Sequence, residues 1–203
     1  MSAQPTALAI SCTLKPSPDV SSSDLLASQI LTALSGHGVS GELVRAVDHT
    51  LSPGVEADMG DDDEWPVLRR KVLDADILVL VTPTWMGQHS SVAQRVLERL
   101  DAELAETDDD GRPILFDKVA IAAVVGNEDG AHHIAGILFQ SLNDVGYTIA
   151  AQGSVYWNGE AMHTVDYKDL DETPEEVASA TATAARNAAH LARALRGEGF
   201  PAE

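Results

Sequence analysis

The sequence predicts an α/β fold in which a parallel β-sheet carries helices on both faces. Short apolar runs alternate along the chain with segments whose apolar residues recur at helical spacing. Two of the runs, "ILVLV" at residues 77–81 and "VAIAAVV" at residues 119–125, are apolar at consecutive positions rather than at every second one. That pattern is typical of parallel strands that are covered on both faces.

Five strands are predicted, and each ends at residues that favour turns. In chain order they are Ala7–Ser11, Glu42–Val47, Asp76–Thr82, Lys118–Val125 and Thr148–Tyr156. The second of them alternates between apolar and polar residues, so we expect it at an edge of the sheet.

Five helices are predicted in the intervals. They cover Asp24–Gly36, Trp65–Ala75, Val92–Leu104, His132–Val145 and a last, Ala-rich segment from about 173 to 196. The last helix opens with "TPEE", which we interpret as a Thr cap, a Pro at the first helical position and two acidic residues in the first turn. Strands and helices that alternate in this way predict a doubly wound sheet in a single domain over residues 1–203, with its core at about 6–160.

The composition argues against several classes of partner. The 203 residues include 13 Lys and Arg against 32 Asp and Glu, a formal net charge of −19. Because such a surface repels phosphate backbones and anionic lipids, we expect neither nucleic acid nor a membrane as partner. Cys12 is the only cysteine, which rules out an intramolecular disulfide, and no metal site is predicted. With no signal-peptide pattern and no apolar stretch near the ~18 residues of a membrane helix, we expect a cytoplasmic protein.

The first strand is followed by a loop rich in hydroxyl side chains, "SCTLKPSPDVSSSDLL" at residues 11–26. In doubly wound sheets ligands bind outside the carboxyl ends of the strands, and the N-terminus of the helix that follows attracts phosphate. Hydroxyls can add hydrogen bonds to phosphate oxygens without adding charge. Two observations weigh against a phosphate site: Ser22 or Ser23 could serve only as the helix cap, and Asp24 would repel a phosphate unless its carboxylate points away.

Two further strand ends carry polar and aromatic residues, "TPTWMGQHSS" at 82–91 and "GNEDGAHH" at 126–133. The indole of Trp85 is a flat apolar surface suited to a planar ring, and Gly87 allows a ligand to approach the backbone. The third end offers amides and carbonyls, and His132 could face the crevice. His132 and His133 project about 100° apart on a helix, so they are poorly placed to share a metal ion.

Together the three loops resemble those of the flavodoxin-like NAD(P)H-dependent FMN reductases. The resemblance covers the chain from about Ala7 to Trp157 and is most specific at the Pro-x-Trp-x-Gly strand end. It implies a five-stranded sheet of order 2-1-3-4-5 that binds FMN. The implied phosphate-binding residues are Thr13, Lys15, Ser21, Ser22 and Ser23. The implied ring-edge residues are Pro83, Thr84, Trp85, Met86 and Gly87, and those on the far side are Gly126, Asn127, Gly130 and His132. Many members begin this loop with Gly-Ser-x-Arg, whereas "SCTLK" stands here and leaves the role of the arginine to Lys15.

The resemblance also implies a reaction. FMN would carry electrons from NADPH or NADH to a small-molecule acceptor such as a flavin or quinone, with no indispensable proton-shuttling side chain. A homodimer or homotetramer is implied as well. Two alternatives remain open: a flavodoxin-type electron carrier that docks on a redox partner, and a relative that has lost FMN and acts as a binding module.

The sequence lacks the motifs of other protein classes that have related topologies. A dinucleotide-binding fold would show Gly-x-Gly-x-x-Gly after the first strand. A small tyrosine phosphatase would need an arginine six residues after Cys12, where Pro18 stands. A response-regulator receiver needs clustered acidic residues where Ser11 and Cys12 are found, and the Gly-x-Ser-x-Gly elbow of α/β-hydrolases does not occur.

Overall fold

The strands form one twisted sheet whose five long members run parallel. The computed structural model describes residues 4–161 and 163–201. Within them the strands are β1 (Thr6–Ser11), β2 (Ser40–Arg45), β3 (Ile77–Trp85), β4 (Gln88–His89), β5 (Val119–Gly126) and β6 (Thr148–Asn158). The long strands lie in the order β2-β1-β3-β5-β6, and the two-residue β4 pairs antiparallel with the end of β3. Without β4 this is the predicted order 2-1-3-4-5, so the predicted fold is confirmed.

Helices cover both faces of the sheet. They are α1 (Ser22–Ser35), α2 (Trp65–Asp74), α3 (Ser91–Leu100), α4 (Ala131–Asp144) and α5 (Glu175–Gly197). The first and last pack on one face, where the buried alanines of α5 let it lie close to α1 and β6. The other three cover the opposite face. Over the described residues, no helix is both long enough and apolar enough to cross a membrane.

The central strands are covered on both sides, as their consecutive apolar residues predict. In β5 every residue from Val119 to Val125 is buried, and alternate side chains enter the two cores. Because the strands pair in parallel register, Ser11, Val81 and Ala123 lie side by side near the carboxyl ends of β1, β3 and β5. The loops that follow these strands therefore lie together at the same end of the sheet.

The edge strand and its neighbours differ from the prediction in their bounds. It runs from Ser40 to Arg45 rather than over Glu42–Val47, and a 3₁₀ turn, Ala46–Asp48, follows it. Ser40 and Gly41 are not large apolar residues, so the alternating pattern did not predict that the strand includes them. A Cβ at Gly41 would lie 2.7 Å from a methyl of Leu31, so the glycine is where α1 comes close to the edge. Helix α3 ends at Leu100 and continues as a 3₁₀ turn to Ala105.

The predicted cap of the last helix is wrong. Pro174, in extended conformation, is the N-cap residue of α5, which begins at Glu175. The hydroxyl of Thr173 accepts a hydrogen bond of 2.8 Å from Nε2 of Gln29 instead. Thr173 therefore links the segment before α5 to α1 through this hydrogen bond.

Candidate functional site

A cleft of about 130 Å³ lies at the carboxyl ends of the strands. Ten of the fourteen residues predicted to bind FMN line it: Thr13, Lys15, Ser21, Ser22, Ser23, Pro83, Thr84, Trp85, Gly126 and Asn127. The other four, Met86, Gly87, Gly130 and His132, do not line the cleft. The topology thus brings most of the predicted set together, and ligand binding by these residues stays a prediction.

The start of α1 forms one end of the cleft. Ser21 is its N-cap residue, and its hydroxyl accepts a hydrogen bond from the N–H of Ser23. The hydroxyl of Ser22 accepts one of 3.2 Å from the N–H of Lys168. Thr13 and Ser23 are buried, whereas Lys15 is exposed. N–H groups of a first helical turn have no carbonyl partner within the helix, so this end offers both hydroxyls and N–H donors to an anion.

The carboxylate of Asp24 is bonded to Arg45, and Asp24 does not line the cleft. The guanidinium Nε of Arg45 donates to Oδ2 of Asp24 at 2.9 Å, and its Nη2 contacts the same oxygen. The hydroxyl of Ser11 donates to Oδ1 of Asp24 at 2.5 Å. The objection that a carboxylate in this turn would repel a phosphate is therefore weakened.

Arg45 also fixes the loop itself. Its Nη1 donates to the carbonyl of Lys15 and its Nη2 to the carbonyl of Asp19, both at 2.9 Å. The side chain is only 10% exposed. Sequence reasoning missed Arg45, because the predicted edge strand ended at Val47 and the contact with the first loop depends on the order of the strands in the sheet.

Ser90 joins two of the strand ends. Its hydroxyl donates to the carbonyl of Cys12 at 2.7 Å and accepts from the N–H of Ala93, which caps α3. Its own N–H donates to the hydroxyl of Thr82. Burial raises the pKa of the Cys12 thiol, so the thiol stays protonated and is no nucleophile.

The end of β3 forms a hairpin whose tip projects from the protein. Thr84 pairs with His89 and Trp85 with Gln88, which leaves Met86 and Gly87 as the two turn residues. Both have positive φ, 53° and 73°, as a type I′ turn requires. Met86 is 91% exposed and Trp85 is 53% exposed. The indole therefore presents apolar surface at the cleft and can still be approached from solvent.

The loop after β5 packs against this hairpin. A Cβ at Gly126 would lie 2.7 Å from the Cβ of Thr84, and one at Gly130 would lie 2.9 Å from the Cα of Gly87. These glycines thus let the two loops touch. The ring of His132 meets that of Tyr156 edge-on, with centroids 4.9 Å apart. The carboxylate Oε1 of Glu128 accepts a 2.8 Å hydrogen bond from the N–H of Met86.

A fourth wall of the cleft comes from the end of β6 and the segment after it. Trp157, Asp166 and Tyr167 line the cleft, and the rings of Trp157 and Tyr167 lie 5.4 Å apart. The hydroxyl of Tyr167 donates to Gln29 at 2.6 Å, and burial raises its pKa. Asn127 Nδ2 donates to the carbonyl of His163 and to Asp166. Sequence reasoning missed this wall, because residues 157–171 have neither helical nor strand periodicity.

The donors present fit a phosphorylated planar ligand. The hydroxyl of Thr84 is buried at the cleft without a hydrogen-bond partner, and a buried polar group without a partner is costly unless a ligand or water satisfies it. Hydroxyls and helix N–H groups at one end suit a phosphate, and the exposed indole at the other suits a ring. Among the described residues, no three His, Cys, Asp or Glu side chains are grouped so as to hold a metal ion.

Two curated proteins are similar to this chain. A Mycobacterium bovis protein named divalent metal cation transporter MntH is 42% identical over 167 residues, which are 80% of this chain and 24% of that protein. The 8-demethyl-8-aminoriboflavin-5'-phosphate synthase of Streptomyces davaonensis is 34% identical over 164 residues, 76% of this chain. The chain spans about a quarter of the length of the first and 64% of the second.

Solved structures agree with these matches. The structure of RosB with bound 8-demethyl-8-formylriboflavin-5'-phosphate has a TM-score of 0.87 and 31% identity, and the match covers 97% of this chain and 82% of RosB. An oxidoreductase of Corynebacterium diphtheriae superposes with a TM-score of 0.64 at 19% identity, over 94% of this chain and 98% of that one, and shows the fold alone. The family described as NADPH-dependent FMN reductase matches residues 5–161. The chain therefore belongs to the NADPH-dependent FMN reductase family and has a flavodoxin-like fold.

Proposed function

We propose that this enzyme binds FMN in the cleft and transfers electrons from NADPH or NADH to a small-molecule acceptor such as a flavin or quinone. The observation that carries the proposal is the meeting of a hydroxyl-lined helix N-terminus and an indole-bearing hairpin in one cleft. The first suits the phosphate and the second the isoalloxazine ring. Lys15 is the cation of the cleft lining and would lie near the phosphate.

In this proposal the protein supplies position and electrostatics. The chemistry that FMN contributes when bound is acceptance of a hydride and its delivery to a second substrate. The start of α1 would hold the phosphate through N–H groups and the hydroxyls of Ser21, Ser22 and Ser23. Trp85 would orient the ring by packing its flat indole against it. Backbone N–H groups of the hairpin would supply hydrogen bonds that stabilise negative charge on the ring.

The experiment is a titration followed by an assay. The purified protein should quench the fluorescence of added FMN, and the complex should then oxidise NADPH or NADH with quinone, ferricyanide or free flavin as acceptor. A protein that leaves FMN fluorescence unchanged would refute the flavin proposal. Binding of FMN without oxidation of either nicotinamide would instead favour an electron carrier that docks on a redox partner.

A second candidate function is chemistry on the flavin itself. It is favoured by the TM-score of 0.87 to RosB, whose structure holds a modified flavin phosphate. In that case the flavin would be the substrate and would leave the cleft altered. Mass spectrometry of the flavin recovered after incubation with protein distinguishes the two: an unchanged mass supports the reductase, and a changed mass supports a synthase.

We also propose that the enzyme forms a homodimer or homotetramer. A groove between α3 and α4 is lined by apolar side chains, of which Val55 and Leu104 are about half exposed, and also by polar ones. The apolar residues are Val55, Leu97, Leu104 and Val145, and the polar ones are Gln94, Glu98, Asp101, Ser141 and Asp144. Covering such apolar side chains with a second copy would stabilise an oligomer. Light scattering after size exclusion measures the mass, and a monomer of 21.5 kDa would refute this.

A further inference from the structure

The cleft encloses only part of the space that its proposed ligand would fill. Its volume of about 130 Å³ falls below the ~300–1,000 Å³ of pockets that enclose small molecules. A planar heterocycle would therefore extend from the cleft along the exposed hairpin of Trp85 and Met86. There it would meet the polar groups of the rim, and a partly exposed side chain held by one hydrogen bond is the group that moves with the least loss of other contacts.

Glu128 is placed at this rim. Its carboxylate bonds to the N–H of Met86 at 2.8 Å and so links the loop after β5 to the hairpin after β3. The side chain lines the cleft and is partly exposed. None of the ion pairs formed among the described residues includes Glu128.

The backbone on either side of this contact is held more firmly. Gly87 and Gly130 pack backbone against backbone. Beside them, the ring Nε2 of His133 lies 3.2 Å from Oε1 of Gln88. Rotation of one partly exposed Glu side chain leaves both contacts in place. It costs the hydrogen bond to Met86, for which water can substitute on the Glu side.

We propose that the carboxylate of Glu128 accepts the hydrogen bond that the N–H of Met86 would otherwise donate to the ligand. When the ligand binds, an acceptor atom at the edge of its ring replaces this carboxylate. The inference rests on the proposed function and makes Glu128 a positioning residue. It also defines the ligand class: a planar heterocycle with a carbonyl oxygen or an unprotonated ring nitrogen at the edge that meets Met86. A planar ring without such an acceptor cannot replace the bond that Glu128 gives up.

The sign of the effect separates this role from a merely structural one. If Glu128 competes with the ligand, its removal tightens binding, whereas the loss of a structural support loosens it. Glu128→Ala removes the competing acceptor and its charge. Glu128→Gln keeps an amide oxygen that can accept from Met86 but lacks the charge that strengthens such bonds about twofold. Asp129→Asn, at the exposed neighbouring acid, changes the net charge equally without touching Met86.

The test is the dissociation constant for FMN, measured by fluorescence quenching with wild type and the three variants. We expect Glu128→Ala to tighten binding about tenfold, which corresponds to one charge-assisted hydrogen bond, and Glu128→Gln about threefold. Asp129→Asn should stay within twofold of wild type, since an exposed charge contributes little. Thermal melts followed by circular dichroism establish that each variant is folded.

Two outcomes overturn different statements. Folded Glu128 variants that bind FMN no more tightly than wild type overturn the role of Glu128, while the proposed function stands. If neither wild type nor any variant binds FMN, the proposed function falls and the inference with it. Binding by Glu128→Ala alone would support the inference, because wild type would then be blocked by its own side chain.

Discussion

Replacing Arg45 by Ala should weaken FMN binding without weakening riboflavin binding. Arg45 holds the carboxylate of Asp24 and the carbonyls of Lys15 and Asp19. Without it the loop loses its anchor, and a carboxylate in the first turn of α1 is left without its cation. Both changes act at the phosphate end of the cleft, and riboflavin has no phosphate.

The magnitude follows from the burial of the pair. The Arg45 and Asp24 side chains are 10% and 20% exposed, so the pair lies between the exposed and the buried case. Exposed ion pairs contribute about 0–1 kcal/mol, and breaking a buried pair costs about 3–5 kcal/mol. We therefore expect Arg45→Ala to lower the free energy of unfolding by about 2–3 kcal/mol. Affinity for FMN should fall about tenfold, or 1.4 kcal/mol, through loss of the ordered loop.

The assay is fluorescence quenching with FMN and riboflavin in parallel, together with urea unfolding. Arg70→Ala is the control, because Arg70 is exposed and carries the same charge. A variant that loses affinity for both flavins equally would show that Arg45 supports the fold as a whole. Unchanged affinity for FMN would remove the α1 N-terminus from the phosphate site.

Further predictions concern the core and the cleft. Burial acts to raise the pKa of Asp63, but hydrogen bonds from Arg99 and from backbone N–H groups outweigh it and leave the pKa at about 2, below the usual 3.8. Because folding lowers the pKa of Asp63, its ionised carboxylate stabilises the folded state by about 2 kcal/mol above pH 3.8, and this stabilisation is lost as the pH falls towards 2. Urea unfolding midpoints measured between about pH 5 and pH 2 should show the loss. Asp63→Asn should lower the unfolding free energy by about 3 kcal/mol, since it breaks a fully buried pair, whereas the exposed Asp62→Asn should not change it in the same urea titration. Thr84→Val should keep or slightly raise the melting temperature, because the hydroxyl has no protein partner, yet weaken FMN about fivefold through one lost hydrogen bond. A Thr84→Val protein with wild-type affinity would exclude this hydroxyl from the site.

The parts of the fold with strong local patterns were predictable from the sequence. β3 and β5 are apolar at consecutive positions because both faces are covered, and that property is visible in the residues alone. The edge strand was displaced by two residues, because Ser40 and Gly41 are there for pairing and close approach rather than for burial.

The site was predictable where residues follow a strand directly. Trp85 ends β3 and Ser21 ends the loop after β1, and the parallel topology brings these two positions together. Arg45 acts on Asp24, 21 residues earlier in the chain, through a contact that only the sheet order creates. Tyr167 lies in a short 3₁₀ turn and owes its place to tertiary contacts with α1. Neither contact has a local sequence pattern.

The pairing of Ser11 with Arg45 at the end of β1 and β2 makes binding sensitive to how the sheet is assembled. A slip of β2 by one residue would move the guanidinium along the strand and turn it to the opposite face. The loop after β1 would then lose its hydrogen bonds to Arg45 even though the sheet still formed. Correct alignment of an outer strand is thus a condition for ligand affinity, and a misaligned chain would be folded but inactive.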